Sequence, residues 1–216
     1  MALTSAFSRY GVVLLVLTAA FTFAMIAPAG GWARVVNALL QGGAVLAALS
    51  RARASRRLLG VAIAAVAVTV AVAALSEVGG RLSGGLSDLV GAGLLVLVPV
   101  AIVLEFRRNL AVTVESVMAA LCIYVVLGMF FASVASATAA IGGSAYFAGH
   151  PPANSADYTY FSFITLATVG YGDYVPALRM GRALAVLEGL MGQIYLVTVV
   201  ALLVSNLGRR RRRPTA

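Results

Sequence analysis

The sequence contains no lysine: all sixteen basic residues are arginines, against only seven acidic residues. Charged residues make up 11% of the 216 positions, compared with about 25% in an ordinary soluble domain. Arginine in place of lysine, beside abundant alanine, indicates the coding bias of a GC-rich bacterium. This scarcity of charge, with 62% apolar residues and a mean hydropathy of +1.00, excludes a soluble globular domain and indicates an integral membrane protein.

Cysteine and histidine are almost absent, which excludes several kinds of site. Cys122 is the single cysteine, so no intrachain disulfide can form, and it is expected to be a small packing residue. No paired carboxylates, metal-spaced His/Cys cluster or nucleophile–base set appears, which argues against an enzyme. The net charge of +9 would suit a nucleic-acid partner, but the arginines lie at the ends of apolar runs, where membrane topology explains them better.

Six apolar runs are long enough to be transmembrane helices. They cover 11–27, Val35–Leu49, Leu58–Leu75, Leu86–Leu104, Val112–Val134 and Ala183–Leu207. Ala27-Pro28-Ala29 has the form of a signal-peptidase site, so a cleaved signal peptide is an alternative to a retained first helix, which we favour. Glycines from Gly79 to Gly85 predict a flexible turn before the fourth run, and the stretch Ala135–Asn154 predicts a turret loop after the fifth.

The arginines predict the orientation. With both termini inside, twelve arginines lie on the cytoplasmic side and four outside. The positive-inside rule therefore predicts a multi-pass protein of the cell membrane with both termini cytoplasmic. The outside set is Arg34, Arg81, Arg179 and Arg182.

The short apolar run Tyr158–Ala167 cannot cross the membrane. As a helix it spans about 15 Å, half of the roughly 30 Å hydrocarbon core, so the chain must turn back. The next residues are Thr168-Val169-Gly170-Tyr171-Gly172-Asp173. Glycine adopts positive φ at little steric cost, so a chain with alternating glycines can direct successive carbonyls at one line, as a dehydrated cation requires.

Thr168 to Gly172 read TVGYG, which resembles the selectivity filter of potassium channels of the tetrameric P-loop cation-channel superfamily. The resemblance implies that K⁺ binds to the carbonyls of Thr168, Val169, Gly170 and Tyr171, with no other cofactor. Tyr171 would brace the filter from behind, and Gly172 and Asp173 would support it at the outer mouth. Tyr160, in the Tyr160-Phe161 pair that stands where the family often has two tryptophans, would donate to Asp173. His150, in the turret, is expected to be incidental rather than a pH sensor.

The last run carries the other predicted parts of the pore. Gly192 lies where the family has a gating hinge, and a close helix–helix contact through glycine is the alternative. One helical face is predicted to line the cavity, with valines forming a hydrophobic gate. That face comprises Gln193, Leu196, Val197, Val200 and Val204. Glu188 is predicted to face the pore helix and bond to a hydroxyl such as Ser162 or Thr165, supporting the filter, or to be merely structural and protonated.

The sequence thus predicts an all-α membrane protein of six transmembrane helices plus one re-entrant pore helix and a selectivity-filter loop. Residues 1–109 form a four-helix domain that resembles a voltage sensor in topology, 110–208 a pore domain, and 209–216 a basic cytoplasmic tail. Between Leu82 and Phe106 there is no arginine, so the ladder that a voltage sensor needs is missing. We therefore predict little voltage dependence.

The predicted function is passive, potassium-selective conduction by a homotetramer, because one chain supplies one filter loop and the family's pore takes four. Arg209–Arg213 either bind anionic lipid headgroups or serve as a stop-transfer anchor. Two alternatives are a non-conducting regulatory subunit of a channel and a potassium-uptake transporter subunit, although such transporters carry four degenerate loops in one chain.

Overall fold

The computed structural model describes residues 9–28, 30–51, 56–75, 80–106 and 114–210, without the side chains at 9, 80, 81, 104–106, 114, 200 and 203–210. These ranges form eight α-helices, and their one β-type pairing is an isolated antiparallel bridge between Phe147 and Pro176. The fold is therefore all-α, as predicted. The helices are α1 (Arg9–Ile26), α2 (Gly31–Arg51), α3 (Arg56–Leu75), α4 (Gly80–Leu95), α5 (Leu97–Phe106), α6 (Val114–Gly142), α7 (Ser155–Leu166) and α8 (Arg179–Arg210).

Among the described residues, five helical stretches are long and apolar enough to cross a membrane, with α4 and α5 counted as one. They are Gly31–Arg51, Arg56–Leu75, Leu82–Val103, Glu115–Gly142 and Arg179–Val199. The first predicted span corresponds to α1, whose segment Tyr10–Ile26 is apolar but shorter than these five. The chain is a multi-pass membrane protein with a short additional helix, α7, between its last two long ones.

The flexible turn predicted over Gly79–Gly85 is wrong from Gly80 onward, where α4 has already begun. Gly84 and Gly85 are buried in that helix. A Cβ atom on Gly85 would lie 2.5 Å from the Cβ of Ala140 in α6, so the glycine permits close contact between two helices instead of a turn.

The helix α6 is longer than predicted, since it continues past Val134 to Gly142 and shortens the turret to 143–154. Ala135 and Ala139, in the segment assigned to the turret, are buried against aromatic residues of the loop that follows. The helix ends where Gly143 adopts a φ of 68°, the left-handed conformation that glycine commonly provides after a helix.

Pro99 accounts for the interruption between α4 and α5. Proline lacks a backbone N–H, and its ring clashes with the carbonyl four residues earlier, here that of Leu95. The chain makes a turn at Val96 before the helix resumes.

The main core lies among α1, α2, α5 and the first half of α6, where large side chains such as Leu17, Leu49 and Ile102 are fully buried. Cys122 is buried in this core as predicted, with its sulfur 3.7 Å from the carbonyl oxygen of Tyr10. At the other end of α6, Ser136 donates a hydrogen bond of 2.5 Å to Asp88 of α4. Of the N-terminal helices, α1, α4 and α5 pack against α6, and this packing positions the loop that follows α6.

We expect Gly85→Ala to destabilise the protein, because its new methyl group would overlap Ala140. Overpacking of this kind costs about 1–3 kcal/mol and outweighs the gain of about 1 kcal/mol from replacing a helical glycine by alanine. Gly93→Ala in the same helix is the matched control, since nothing lies within 4 Å of its added Cβ. Thermal unfolding in detergent measures both, and equal midpoints would contradict the packing role of Gly85.

Candidate functional site: the loop between α6 and α8

The short helix α7 begins with a capping box. Asn154 accepts hydrogen bonds from the backbone N–H groups of Ala156 (2.8 Å) and Asp157 (3.2 Å), and its own N–H donates to the Asp157 carboxylate (2.8 Å). Asn154 is therefore the N-cap residue, and the helix begins at Ser155. At twelve residues the helix is about 18 Å long, too short to cross a bilayer.

The chain leaves α7 with its N–H groups bonded back to the helix. Thr168 donates to the carbonyl of Thr165 at 3.0 Å. Val169 and Gly170 both donate to the carbonyl of Ile164, at 2.8 and 3.2 Å. The N–H side of the loop therefore faces α7.

Along the loop, residues with positive φ alternate with residues that do not have positive φ. Thr168, Gly170 and Gly172 have φ values of 57°, 54° and 80°, while Val169 and Tyr171 between them do not have positive φ. Alternation of this kind brings successive N–H groups to one side, as in anion-binding nests, and leaves the carbonyls on the other. In the described part of the chain no hydrogen bond occupies the carbonyl oxygens of Thr168 to Tyr171. A row of carbonyls of this kind suits a cation.

Thr168 also has a positive φ, which the sequence does not predict. A β-branched residue rarely adopts this conformation, so nothing in the residue type predicts it. The double hydrogen bond to Ile164 holds the two residues that follow and so helps to fix the strained position.

Two tyrosine–carboxylate pairs hold the outer end of the loop. The Tyr160 hydroxyl donates to Asp173 at 2.8 Å, the contact that the sequence predicted, and the Tyr174 hydroxyl donates to Asp157 at 2.9 Å. Each bond raises the pKa of its tyrosine, because the carboxylate accepts from the protonated phenol. Both hydroxyls therefore remain donors at neutral pH.

His150 also contacts this outer end, although the sequence assigned it no role. Its Nε2 lies 2.8 Å from the carbonyl oxygen of Asp173. Its ring stacks on Tyr174 with a centroid distance of 4.4 Å and an interplanar angle of 16°. Because a carbonyl only accepts, Nε2 must carry the hydrogen.

An aromatic cluster joins the turret to α7 and to the segment after the loop. Tyr146, Phe147, Tyr158 and Phe161 are buried, with ring centroids 4.9–6.1 Å apart. Next to this cluster, two backbone hydrogen bonds join the turret to the segment after the loop. The N–H of Ala148 donates to the carbonyl of Val175 at 2.9 Å, and the N–H of Ala177 donates to the carbonyl of Tyr146 at 2.8 Å. Sequence reasoning missed this cluster; the adjacent aromatics in a glycine-rich turret were the available signal.

Glycines bring both long neighbours against α7. A Cβ atom on Gly128 of α6 would lie 2.6 Å from the Phe163 ring, and one on Gly192 of α8 would lie 2.3 Å from the carbonyl oxygen of Leu166. The close-contact alternative for Gly192 is therefore confirmed. Its role as a hinge stays a prediction.

Glu188 faces α7, as the sequence predicted. It is 2% exposed, and its carboxyl group is hydrogen-bonded to the hydroxyl of Ser162, which is 1% exposed. The same hydroxyl lies 2.6 Å from the carbonyl oxygen of Gly128. Ser162 therefore links all three helices, whereas Thr165, the other candidate partner, forms no side-chain bond to Glu188 among the described contacts.

Much of the predicted pore lining is on the surface of the single chain. Gln193, Leu196 and Val197 are exposed on α8, and the side chains of Val200 and Val204 lie outside the described residues. Tyr171 is 72% exposed, so the bracing predicted for it is not made within one chain. Arg209–Arg213 likewise lie outside the described side chains.

Comparison with known families adds one finding. Residues 119–209 match the sequence model of a family described as "Ion channel". No curated protein and no solved structure gives a significant match to the chain. The match covers α7, the alternating loop and most of the two long helices that flank them. It therefore supports an ion channel domain over this stretch rather than an enzyme.

Gly192→Ala should separate α8 from α7, because backbone atoms at 2.3 Å cannot move aside as a flexible side chain can. We expect a loss of about 1–3 kcal/mol in unfolding free energy, measured by thermal or denaturant unfolding in detergent. Gly189→Ala is the control, since its added Cβ would lie 3.9 Å from the Thr165 carbonyl oxygen, an ordinary contact. Equal stability of the two variants would show that the close contact does not constrain α8.

Proposed function

We propose that the protein is a subunit of a potassium-selective channel that conducts K⁺ passively across the cell membrane. The observation that carries this proposal is the alternating backbone of Thr168 to Gly172, whose carbonyls have no partner within the described chain. Its support is the match of residues 119–209 to an ion channel family.

The carbonyl oxygens of Thr168, Val169, Gly170 and Tyr171, with the Thr168 hydroxyl, replace the hydration shell of K⁺. Rings of carbonyls perform this role in potassium channels. Gly172 and Asp173 support the outer end, with Tyr160 holding Asp173. The helix α7 directs the negative end of its dipole toward the ion, which favours a cation there.

The pore requires four copies of the chain. A single chain supplies one loop, whose Val169 and Tyr171 side chains are 51% and 72% exposed, beside an α8 with a broad exposed apolar surface. A homotetramer about a common axis covers these surfaces and brings four loops together. Gly192 then acts as the hinge of the inner helix, and Gln193, Leu196, Val197, Val200 and Val204 line the cavity.

The proposed topology has six spans with both termini cytoplasmic and the loop on the extracellular side. The apolar segment Tyr10–Ile26 has seventeen residues, which reaches the lower limit of about 17 for a spanning helix, so α1 completes the six. Membrane lipids surround the assembly, and Arg209–Arg213 contact anionic headgroups on the cytoplasmic side.

Potassium flux into liposomes containing the purified protein tests the proposal. We expect K⁺ to pass far faster than Na⁺, barium to block, and Gly170→Asp to abolish flux by placing a side chain where the backbone has a φ of 54°. Gly149→Asp is the matched control, because Gly149 has a φ of 74° in the turret, away from the carbonyl row, and should retain flux.

Equal Na⁺ and K⁺ flux would contradict the selectivity. No flux from the unaltered protein would favour the regulatory subunit that joins another channel. A functional pore in a monomer would favour the transporter-like alternative, and cross-linking of the reconstituted protein distinguishes it from a tetramer.

We also expect the open probability to depend little on voltage. In the described part of α4 and α5, Asp88 is the one charged side chain from Leu82 to Val103. Each charge that crosses the field contributes about 2.3 kcal/mol per 100 mV, and steep gating needs three or four per subunit. Single-channel recording in planar bilayers checks this, and steep activation over 100 mV would contradict it.

A further inference from the structure

Three oxygen atoms lie in a row at the contact of α6, α7 and α8. The Ser162 hydroxyl oxygen is 2.6 Å from the carbonyl oxygen of Gly128 and is also hydrogen-bonded to Oε1 of Glu188. Ser162 and Glu188 are both buried, so neither side chain is exposed to bulk solvent.

This row needs two hydrogens. The carbonyl of Gly128 only accepts, and the serine hydroxyl has a single hydrogen to donate. If Ser162 donated to an ionised Glu188, its oxygen and that of Gly128 would face each other at 2.6 Å without a hydrogen between them. If Glu188 carries the second hydrogen, each neighbouring pair of oxygens has one hydrogen between them.

We propose that Glu188 is a neutral carboxylic acid that donates to Ser162, which in turn donates to the carbonyl of Gly128. The result is a directed chain from α8 through α7 to α6. Glu188 is thus a positioning residue that supplies a hydrogen, and the structure accounts for its burial without a counter-ion.

The surroundings of Glu188 support the neutral form. Among the described residues no arginine forms an ion pair with it. A buried carboxylate without a cation or several donors is costly, and ionisable groups in that situation become neutral. In the part of the chain that the structure describes, Tyr146 of the turret is another titratable side chain near Glu188, and its hydroxyl lies 3.5 Å from the carbonyl oxygen of Gly181.

The chain of two bonds fixes α7 six residues before Thr168. It thereby sets the distance of the carbonyl row from the inner helix, a role that rests on the proposed function. The protonation state itself does not depend on conduction, and the two can be tested separately.

Infrared spectroscopy of the full chain in detergent, labelled with ¹³C-glutamate, tests the protonation. At neutral pH we expect a carbonyl stretch of a protonated carboxylic acid that shifts in D₂O and is lost in Glu188→Gln. Glu115→Gln is the control, because Glu115 is exposed at the start of α6 and should not change that band. Carboxylate bands alone in the unaltered protein would overturn the proposal.

Replacing Glu188 by glutamine or by methionine, two side chains of similar size, then distinguishes the donation of a hydrogen from the filling of space. Glu188→Gln keeps an N–H donor, so its unfolding midpoint and ion flux should stay close to those of the unaltered protein. Glu188→Met and Ser162→Ala break the chain and should lower the midpoint by roughly 4 °C or more, with slower flux. Equal midpoints for Gln and Met would overturn the role of donation. Absent flux in every protein would contradict the proposed function alone, since the infrared band and the midpoints would still decide this inference.

Discussion

The close approach of α7 to its two long neighbours is the constraint on which the site depends. Gly128 and Gly192 leave no room for a Cβ atom, so α6 and α8 contact the short helix directly. Helices this close must satisfy any polar group between them, and Ser162 does so by bonding to both sides. A helix this short is marginally stable in isolation. Its contacts with α6 and α8 fix its position, and they thereby fix the position of the loop that follows it.

The outer end of the loop is held by polar and aromatic contacts instead of close helix packing. There the contacts are exposed or half-buried, and they consist of tyrosine–carboxylate bonds, a stacked histidine and a two-residue backbone pairing. Exposed polar contacts contribute little individually, so the buried aromatic cluster around Phe147 provides most of the anchoring at this end. The loop is therefore fixed at its inner end by close helix packing, and at its outer end by hydrogen bonds and aromatic contacts.

The sequence predicted those features that depend on local residue order. Hydropathy placed the long helices, the short apolar run Tyr158–Ala167 predicted a helix that cannot cross the membrane, and the six residues from Thr168 predicted the loop. Features that depend on tertiary contact could not be read this way. Gly84 and Gly85 resemble turn residues until Ala140 is seen beside them, and the alanine-rich end of α6 resembles a loop until the aromatic cluster covers it. The positive φ of Thr168 follows from its neighbours' bonds to Ile164 and from no property of threonine. The face of Glu188 was predicted correctly because helical geometry fixes it relative to Gln193.

The exposed loop has a consequence for biogenesis. In one chain the residues from Ala167 to Asp173 all lie on the surface, with a row of carbonyls that no described group satisfies. Hydrocarbon cannot solvate such groups, and each one left bare costs several kcal/mol. In the assembly proposed above, a subunit that is still alone in the bilayer keeps these carbonyls without partners and its loop open to proteases. The proposed assembly would then complete the maturation of each subunit, and unassembled subunits should be degraded faster than assembled ones.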